Sequence, residues 1–364
     1  MSLGTAPGRH VFLARSSLQF LLSAAMAESL RDGPRATSRI IFLPDMLDPA
    51  LHAQVVASWA DPPVDRVVFI EPRGARSAAQ VRRDLSRALA EAQPLSVTVF
   101  NDREEAGQTL LIEAAKRFAH ATRRCAEDGA LAYTGFTYRP HGWWVRWRQR
   151  LRMGAGWADV RVLGTHPLVQ EYHALHPALL RRELAGPRVR ALPGAALNAP
   201  SIRRFANDYC ARAGFDPSNV PDNSALLTLS HSSYAQRNPD YVERLRTCAA
   251  ALAASGARLY VKHHPREVAP DPLGLLAQGL GTEVPRGLPA ECIYLLWRER
   301  PVRVIGGMST SLLTAALLMP NARVEALLHA SNAGDSWDPA LLEALRISPW
   351  RGAGGEPQAR FSIQ

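Results

Sequence analysis

Three short patches of this chain hold residues whose types and spacing could do chemistry together. Glu127-Asp128-Gly129 sets two carboxylates beside a glycine, His264-Pro265 sets an imidazole beside a proline, and Ser309-Thr310-Ser311 follows Gly306-Gly307-Met308. A carboxylate at a strand end removes a proton from an acceptor hydroxyl when burial lifts its pKa toward the working pH. Gly129 lets the backbone turn sharply and a substrate approach closely. Proline biases the preceding residue to extended geometry, which fixes where His264 points. A protonated imidazole there would bind a phosphate and support its departure. The glycine-serine loop between a strand and a helix aims backbone N–H groups and hydroxyls at an anion. A base, an acid or cation facing phosphate, and a phosphate cradle are the parts needed to move a sugar off a nucleotide donor.

Each patch also has a plain structural reading. An acidic-glycine pair is common turn chemistry, a loop histidine can cap a strand, and Ser309 or Thr310 can simply cap a helix. In a strand, neighbours point to opposite faces, so only one of Glu127 and Asp128 can face a ligand. His166-Pro167 and His176-Pro177 compete with His264-Pro265, although proline in a first helical turn explains the second. His264 is flanked by Lys262, His263, Arg266 and Glu267. The glycine loop lacks the lysine of a Walker A motif and is not GxGxxG. Glu291, at a further helix start after Pro289, could hold ribose hydroxyls or cap its helix, and Ser232-Ser233-Tyr234 ends another strand near the same place.

The elements that must position these residues alternate between short β-rich runs and helical patterns, as in a parallel α/β sheet. Strands are expected at 10–14, 39–43, 66–70, 96–100, 123–127 and 159–163. Helices are expected at 17–30, 78–92 and 104–120. After a proline- and glycine-bearing linker at 187–200, helices at 201–213 and 240–254 and strands at 225–230 and 258–262 begin a second unit. A short helix at 290–298, a strand at 303–305 and a helix at 311–318 complete it. The implied organisation is two Rossmann-like domains facing across a cleft: an acceptor-side domain over 1–190, a donor-binding domain over 191–330, and a helix and tail over 331–364. Ligands in open α/β sheets bind beyond the carboxyl ends of the strands, where Asp128 and His264 both fall.

Bulk properties narrow the class. A chain of 364 residues with 47% hydrophobic and 21% charged residues is globular and long enough for two cores. The net charge of +10 comes from arginine, since lysine occurs only at Lys116 and Lys262. Arginine suits carboxylates and phosphates, and it is also what GC-rich coding favours. Cys125, Cys210, Cys248 and Cys292 form no CxxC pair, so neither a metal site nor a disulfide framework is expected. The apolar run from His10 to Ala27 is broken by Arg15, Ser16, Ser17 and Gln19, which fits a strand entering a helix better than an export segment. No run of ~18 uninterrupted apolar residues exists, so no spanning helix is expected. Trp143, Trp144, Arg146, Trp147 and Arg148 lie in a basic aromatic segment that could contact an acceptor glycan, an anionic bilayer or single-stranded nucleic acid, or could form a buried helix with snorkelling arginines.

Taken in this order, the three patches resemble the bacterial sialyltransferases, and most closely the capsular polysialyltransferases. That resemblance implies a GT-B type fold and metal-independent, inverting transfer of sialic acid from CMP-sialic acid to a glycan acceptor in surface polysaccharide or capsule synthesis. It implies Asp128, or its neighbour Glu127, as general base and His264 as general acid or phosphate ligand. His263, Pro265, Gly307, Ser309, Thr310, Ser311 and Glu291 would bind the donor. No cofactor and no metal are implied beyond the CMP-sugar itself, and nucleic acid is not expected as a partner. Related transferases use CMP-Kdo with a similar motif layout, so that donor stays open, as does a non-catalytic binder of anionic polymer built on the Trp/Arg segment. A cytoplasmic location follows, with peripheral association at the inner membrane and a lipid-linked acceptor both compatible with that segment.

Overall fold

The computed structural model describes residues 9–31, 37–45, 48–71, 77–127, 129–186, 188–307, 309–327 and 339–352. Asp128 and Met308 therefore lie outside the described residues. Two units emerge from the contacts: residues 1–45 with 56–202, and residues 46–55 with 203–364.

The first unit is built on a seven-stranded parallel sheet. Its strands are β1 (Arg9–Ala14), β2 (Thr37–Phe42), β3 (Arg66–Phe69), β4 (Pro94–Val99), β5 (Thr122–Ala126), β6 (Glu171–Ala174) and β7 (Val189–Ala191). They run in the spatial order β3-β2-β1-β4-β5-β6-β7. Phe12 stands opposite Ile40 and Thr98. The central strands are apolar on both faces, as a sheet covered on both sides requires. The helices are α1 (Ser17–Ser29), α2 (Pro49–Ser58), through which the division between units runs, α3 (Ala78–Ala92), α4 (Glu105–Arg117) and α5 (Trp143–Met153). Ser16 caps α1, its Oγ accepting the Gln19 N–H at 3.2 Å. In α3, Val81, Leu85, Ala88, Leu89 and Ala92 form the buried stripe, and Gln93 at φ 47° ends the helix. Phe20 packs edge-on to Phe42 at 5.4 Å between ring centroids and lies 5.9 Å from Trp59. The Trp59 indole N–H is satisfied by the Ser201 carbonyl at 2.9 Å.

The second unit carries a six-stranded parallel sheet in the order β10-β9-β8-β11-β12-β13. Its strands are β8 (Ser224–Thr228), β9 (Arg258–Lys262), β10 (Thr282–Glu283), β11 (Arg303–Gly306), β12 (Arg323–Ala326) and β13 (Ser348–Pro349). Its helices are α6 (Pro200–Arg212), whose first residues belong to the first unit, α7 (Ser232–Arg237), α8 (Pro239–Ala254), α9 (Ala290–Leu296), α10 (Thr310–Leu318) and α11 (Pro339–Ala344). Leu227, Leu245, Cys248, Val261 and Ile305 lie at the centre of this core. Among the described residues, no helix is long and apolar enough to cross a membrane.

Several elements depart from the sequence expectation. Residues 159–163 form a loop rather than a strand, because Asp102 at the end of β4 takes the backbone just beyond it. Its buried carboxylate accepts the Gly164 and His166 N–H groups, each at 2.8 Å. The sheet is instead extended by β6 and β7. The stretch 187–200 contains β7 and a 3-10 turn (Gly194–Asn198) that packs on α1 with Leu197 buried. After α11 the chain adds β13 to β12, so this part of the tail belongs to the second sheet.

His52, in the segment that joins the second unit, is buried between Phe205 and Tyr209, and burial pushes its pKa down to about 3. The unfolded chain, with a histidine pKa of about 6.5, then binds more protons than the folded one between those two values. Stability present above about pH 6.5 is lost as pH falls, at about 1.4 kcal/mol per pH unit from this group. Urea melts at pH 6.5 and pH 5 should show His52→Leu losing about 2 kcal/mol less than the native protein. Parallel losses would remove His52 as a source of acid sensitivity.

Candidate active site

In the second sheet the chain passes from β8 to β9 and β10 on one side, then crosses to β11 on the other. The reversal between β8 and β11 opens a crevice beyond their carboxyl ends. Space is tight at both positions where β11 leaves the sheet, and at Gly306 it admits only glycine. A Cβ on Gly306 would lie 2.1 Å from Thr228 Oγ1 and 2.8 Å from the Thr228 carbonyl oxygen. On Gly307 it would lie 2.9 Å from Ser230 Oγ and 3.3 Å from the Tyr241 ring. Tyr241 in turn accepts the Ser230 N–H on its hydroxyl at 3.0 Å, so the loop after β8 is held against the glycines.

Beyond the glycines, Ser309 caps α10 and accepts the Leu312 N–H on Oγ at 3.4 Å. Thr310 opens the helix, and Ser311 Oγ is 2.6 Å from the hydroxyl of buried Tyr294 on α9. A helix N-terminus flanked by half-buried hydroxyls is the kind of place where an anion can be held.

The loops after β8 and β9 bring two imidazoles together. His231 and His264 meet edge to face with ring centroids 5.5 Å apart. His264 Nδ1 accepts the Arg266 N–H at 3.1 Å, and His231 Nδ1 accepts the Ser233 N–H at 3.1 Å. Each neutral ring therefore carries its proton on Nε2, leaving an N–H to offer a ligand. The pKa of His264 is pushed down to about 4, first by burial and then by His231 and Arg266, so the free imidazole is neutral at pH 7. Glu267 ties the two loops together: its buried carboxylate accepts the Ser232 N–H at 2.8 Å and the Ala269 N–H at 3.0 Å. Burial acts to raise its pKa, but these hydrogen bonds outweigh it and hold Glu267 at about 2.

Behind the pair, buried Lys262 donates to the carbonyls of His263 (3.2 Å) and Arg286 (3.0 Å). Burial lowers its pKa to about 8, with Glu291 opposing and Arg286 adding to the shift. Glu291 at the start of α9 is raised by burial, with Lys262 opposing. His263 is buried, with Nε2 3.6 Å from Glu283 Oε1, and therefore faces away from His264 along the strand phase. Pro265 is exposed. A separate cavity of about 450 Å³ in this unit, lined by Asp48, Leu51, Arg212, Pro285 and Gly287, contains none of these residues.

In the first unit, Glu127 follows β5 and is buried. Its Oε2 accepts the Leu175 N–H at 2.8 Å and the hydroxyl of Tyr133. Gly129 adopts φ 83°, a left-handed conformation that favours glycine, and leads into a 3-10 turn at Ala130–Ala132. Glu127 thus braces the turn rather than presenting a carboxylate outward. Trp143, Trp144 and Trp147 of α5 are 64%, 63% and 55% exposed, and Arg146 and Arg148 are exposed as well. The segment is not a buried helix. His231 and Glu267 were not singled out from the sequence. A histidine beside the Ser232-Ser233 pair at a strand end was the signal for the first, and the acid three residues after His264 was the signal for the second.

A model of the alpha-2,8-polysialyltransferase family matches residues 54–327. The chain belongs to that family. It is a glycosyltransferase, and its family's chemistry is sialic acid transfer from a nucleotide-sugar donor to a glycan acceptor. No curated protein sequence matches it. Among solved structures, the sialyltransferase of Photobacterium damsela is similar at 12% identity and a TM-score of 0.53, over 95% of this chain and 82% of that one. The GT-B domain of the Photobacterium damselae sialyltransferase gives 11% identity and 0.51, over 94% and 100%. The UDP-GlcNAc 2-epimerase of Methanocaldococcus jannaschii gives 12% and 0.53, over 95% and 89%. At this identity the likeness is one of fold: two Rossmann-like domains of GT-B type.

Gly306→Ala should cost on the order of 1–3 kcal/mol by forcing β11 away from Thr228. A thermal melt of the variant superimposing on the native one would show that the strands approach less closely than the 2.1 Å overlap requires.

Proposed function

We propose that the protein transfers sialic acid from CMP-sialic acid to a glycan acceptor by an inverting, metal-independent displacement, in the synthesis of a surface polysaccharide or capsule. The observation that carries the reading is the convergence of His264, His231, the Gly306-Gly307 turn and the α10 N-terminus at one sheet edge of the second unit. Such a constellation suits a nucleotide monophosphate leaving group. The family's name points to a sialylated glycan as acceptor, and the arginine-rich charge suits anionic substrates.

In this mechanism the bond from the anomeric carbon to the phosphate oxygen breaks through an oxocarbenium-like state. The departing CMP takes the electron pair, and the acceptor oxygen attacks the opposite face. Nε2–H groups of His231 and His264, together with Ser309, Thr310 and Ser311, stabilise the phosphate as charge develops. The acceptor proton passes to Asp128, the member of the acidic pair left over once Glu127 is committed to Tyr133 and Leu175. Membership in a transferase family removes the non-catalytic polymer binder as a reading of the chain. CMP-Kdo remains the alternative donor.

Asp128→Ala and His264→Ala should each lower turnover at least about 10²-fold, the usual general acid–base contribution, measured as CMP release with acceptor present. Near-native transfer by Asp128→Ala would end the base assignment, and turnover of CMP-Kdo but not CMP-sialic acid would replace the donor.

Because the free His264 titrates at about 4, a bound phosphate can only raise that value, so CMP binding takes up a proton between the free and bound values. CMP should bind more tightly as pH falls toward 4, and His264→Asn should lose this component. Calorimetric titration of both proteins cancels the phosphate's own ionisation. Identical pH profiles would detach His264 from the phosphate.

A further inference from the structure

We propose that α5 is an interfacial helix that docks the protein onto an anionic lipid bilayer. This extends beyond the transfer reaction and stands independently of the donor assignment. At about 100° per residue, Trp143, Trp147, Leu151 and Trp144 fall on one arc of about 100°. Trp143, Trp144, Trp147 and Leu151 are 64%, 63%, 55% and 66% exposed. Val145, Gln149 and Met153 lie on the opposite side, and Met153 is buried with Ile112 and Trp157. Arg152 is ion-paired with Glu105 at the start of α4. The helix is therefore anchored by its far face, and the aromatic stripe can only point outward.

The stripe has cationic borders. Arg146 and Arg150 lie along one edge and Arg148 along the other, and all three are exposed. None forms an ion pair among the described residues, and the helix contains no acidic residue at all. Tryptophan settles at the headgroup level of a membrane, and flanking arginines meet anionic headgroups. An 11-residue helix is about 16 Å long, too short to span a bilayer and suited to lying in its interface.

The ring geometry favours lipid over a single-stranded polymer. Trp143 and Trp144 stack on each other at 3.8 Å, and Trp147 abuts Trp144 edge-on at 5.9 Å. The faces that Trp143 and Trp144 turn toward each other are closed, and the cluster, extended by aliphatic Leu151, presents a continuous apolar slab rather than separate ring platforms.

The test is sedimentation of the full chain with phosphatidylcholine vesicles, with and without phosphatidylglycerol. Binding should require the anionic lipid and weaken with salt. Arg146→Gln/Arg148→Gln/Arg150→Gln should reduce partitioning about 10²-fold, at about fivefold per arginine, and Trp143→Ser/Trp144→Ser/Trp147→Ser should abolish it. Both variants should keep the native Tm, since the changed side chains are exposed. Brominated phosphatidylglycerol gives a readout on the unmodified protein: tryptophan fluorescence should be quenched. Absence of quenching, pelleting unchanged in both triple variants, or capture by polysialic acid without any by anionic vesicles would each overturn the proposal.

Discussion

All strand pairs in the second sheet are parallel, and the close approach of β11 to β8 is the constraint on which the candidate site rests. Parallel strands send every β-to-α turn out at the same edge, so residues far apart in sequence converge there. At the β8–β11 step two glycines replace the side chains that would otherwise hold the loops apart. Remove the space at Gly306 and β11 can no longer lie this close to Thr228. The proposed anion site thus depends on backbone packing first and on hydroxyl chemistry second.

Buried charges hold the loops that packing alone would leave loose. Asp102 gathers Gly164 and His166, Glu127 gathers Leu175 and Tyr133, Glu267 gathers Ser232 and Ala269, and Lys262 gathers the carbonyls of His263 and Arg286. The three acids use one device: a carboxylate beyond a strand's carboxyl end accepts at least one N–H from a neighbouring loop. Hydrogen bonds to charged groups are worth about 1.5–3 kcal/mol each, and losing one partner leaves the other buried without compensation. Asp102 shows the cost of burial most directly, since its pKa is raised to about 6 despite the amides that lower it.

Much of this fold was legible in the chain. α3 matches its expected span because a Ser77 cap, an apolar stripe and a stop coincide, and β9 matches because its apolar run ends at a charged loop. The carboxyl-end placement of His264 and of the serine loop followed from the same rhythm. What could not be read was anything decided by a distant partner. Residues 159–163 carry strand-like valines, yet the fold gives the amides just beyond them to Asp102, far away in sequence. α2 lies between proline-bearing stretches and has no clear apolar stripe, so its helical pattern was hidden. The phase of the acidic pair was open until Tyr133 and the Leu175 amide claimed Glu127. Nothing local in the sequence sets His231 against His264; the β8–β9 pairing does.

That ring pair has an electrostatic logic. Burial first, and then the neighbouring His231 and Arg266, disfavour a standing positive charge on His264, which is why the free ring gives up its proton so readily. Lys262 is itself pushed down to about 8, chiefly by burial. The free His264 is neutral at pH 7 and has a proton to gain when an anion lies against it. For a keto-sugar donor, whose anomeric carbon ionises readily, little push is needed at the sugar. In the proposed reaction the demand falls on the departing phosphate, and the neutral His264 would meet it without first storing repulsion in the free protein.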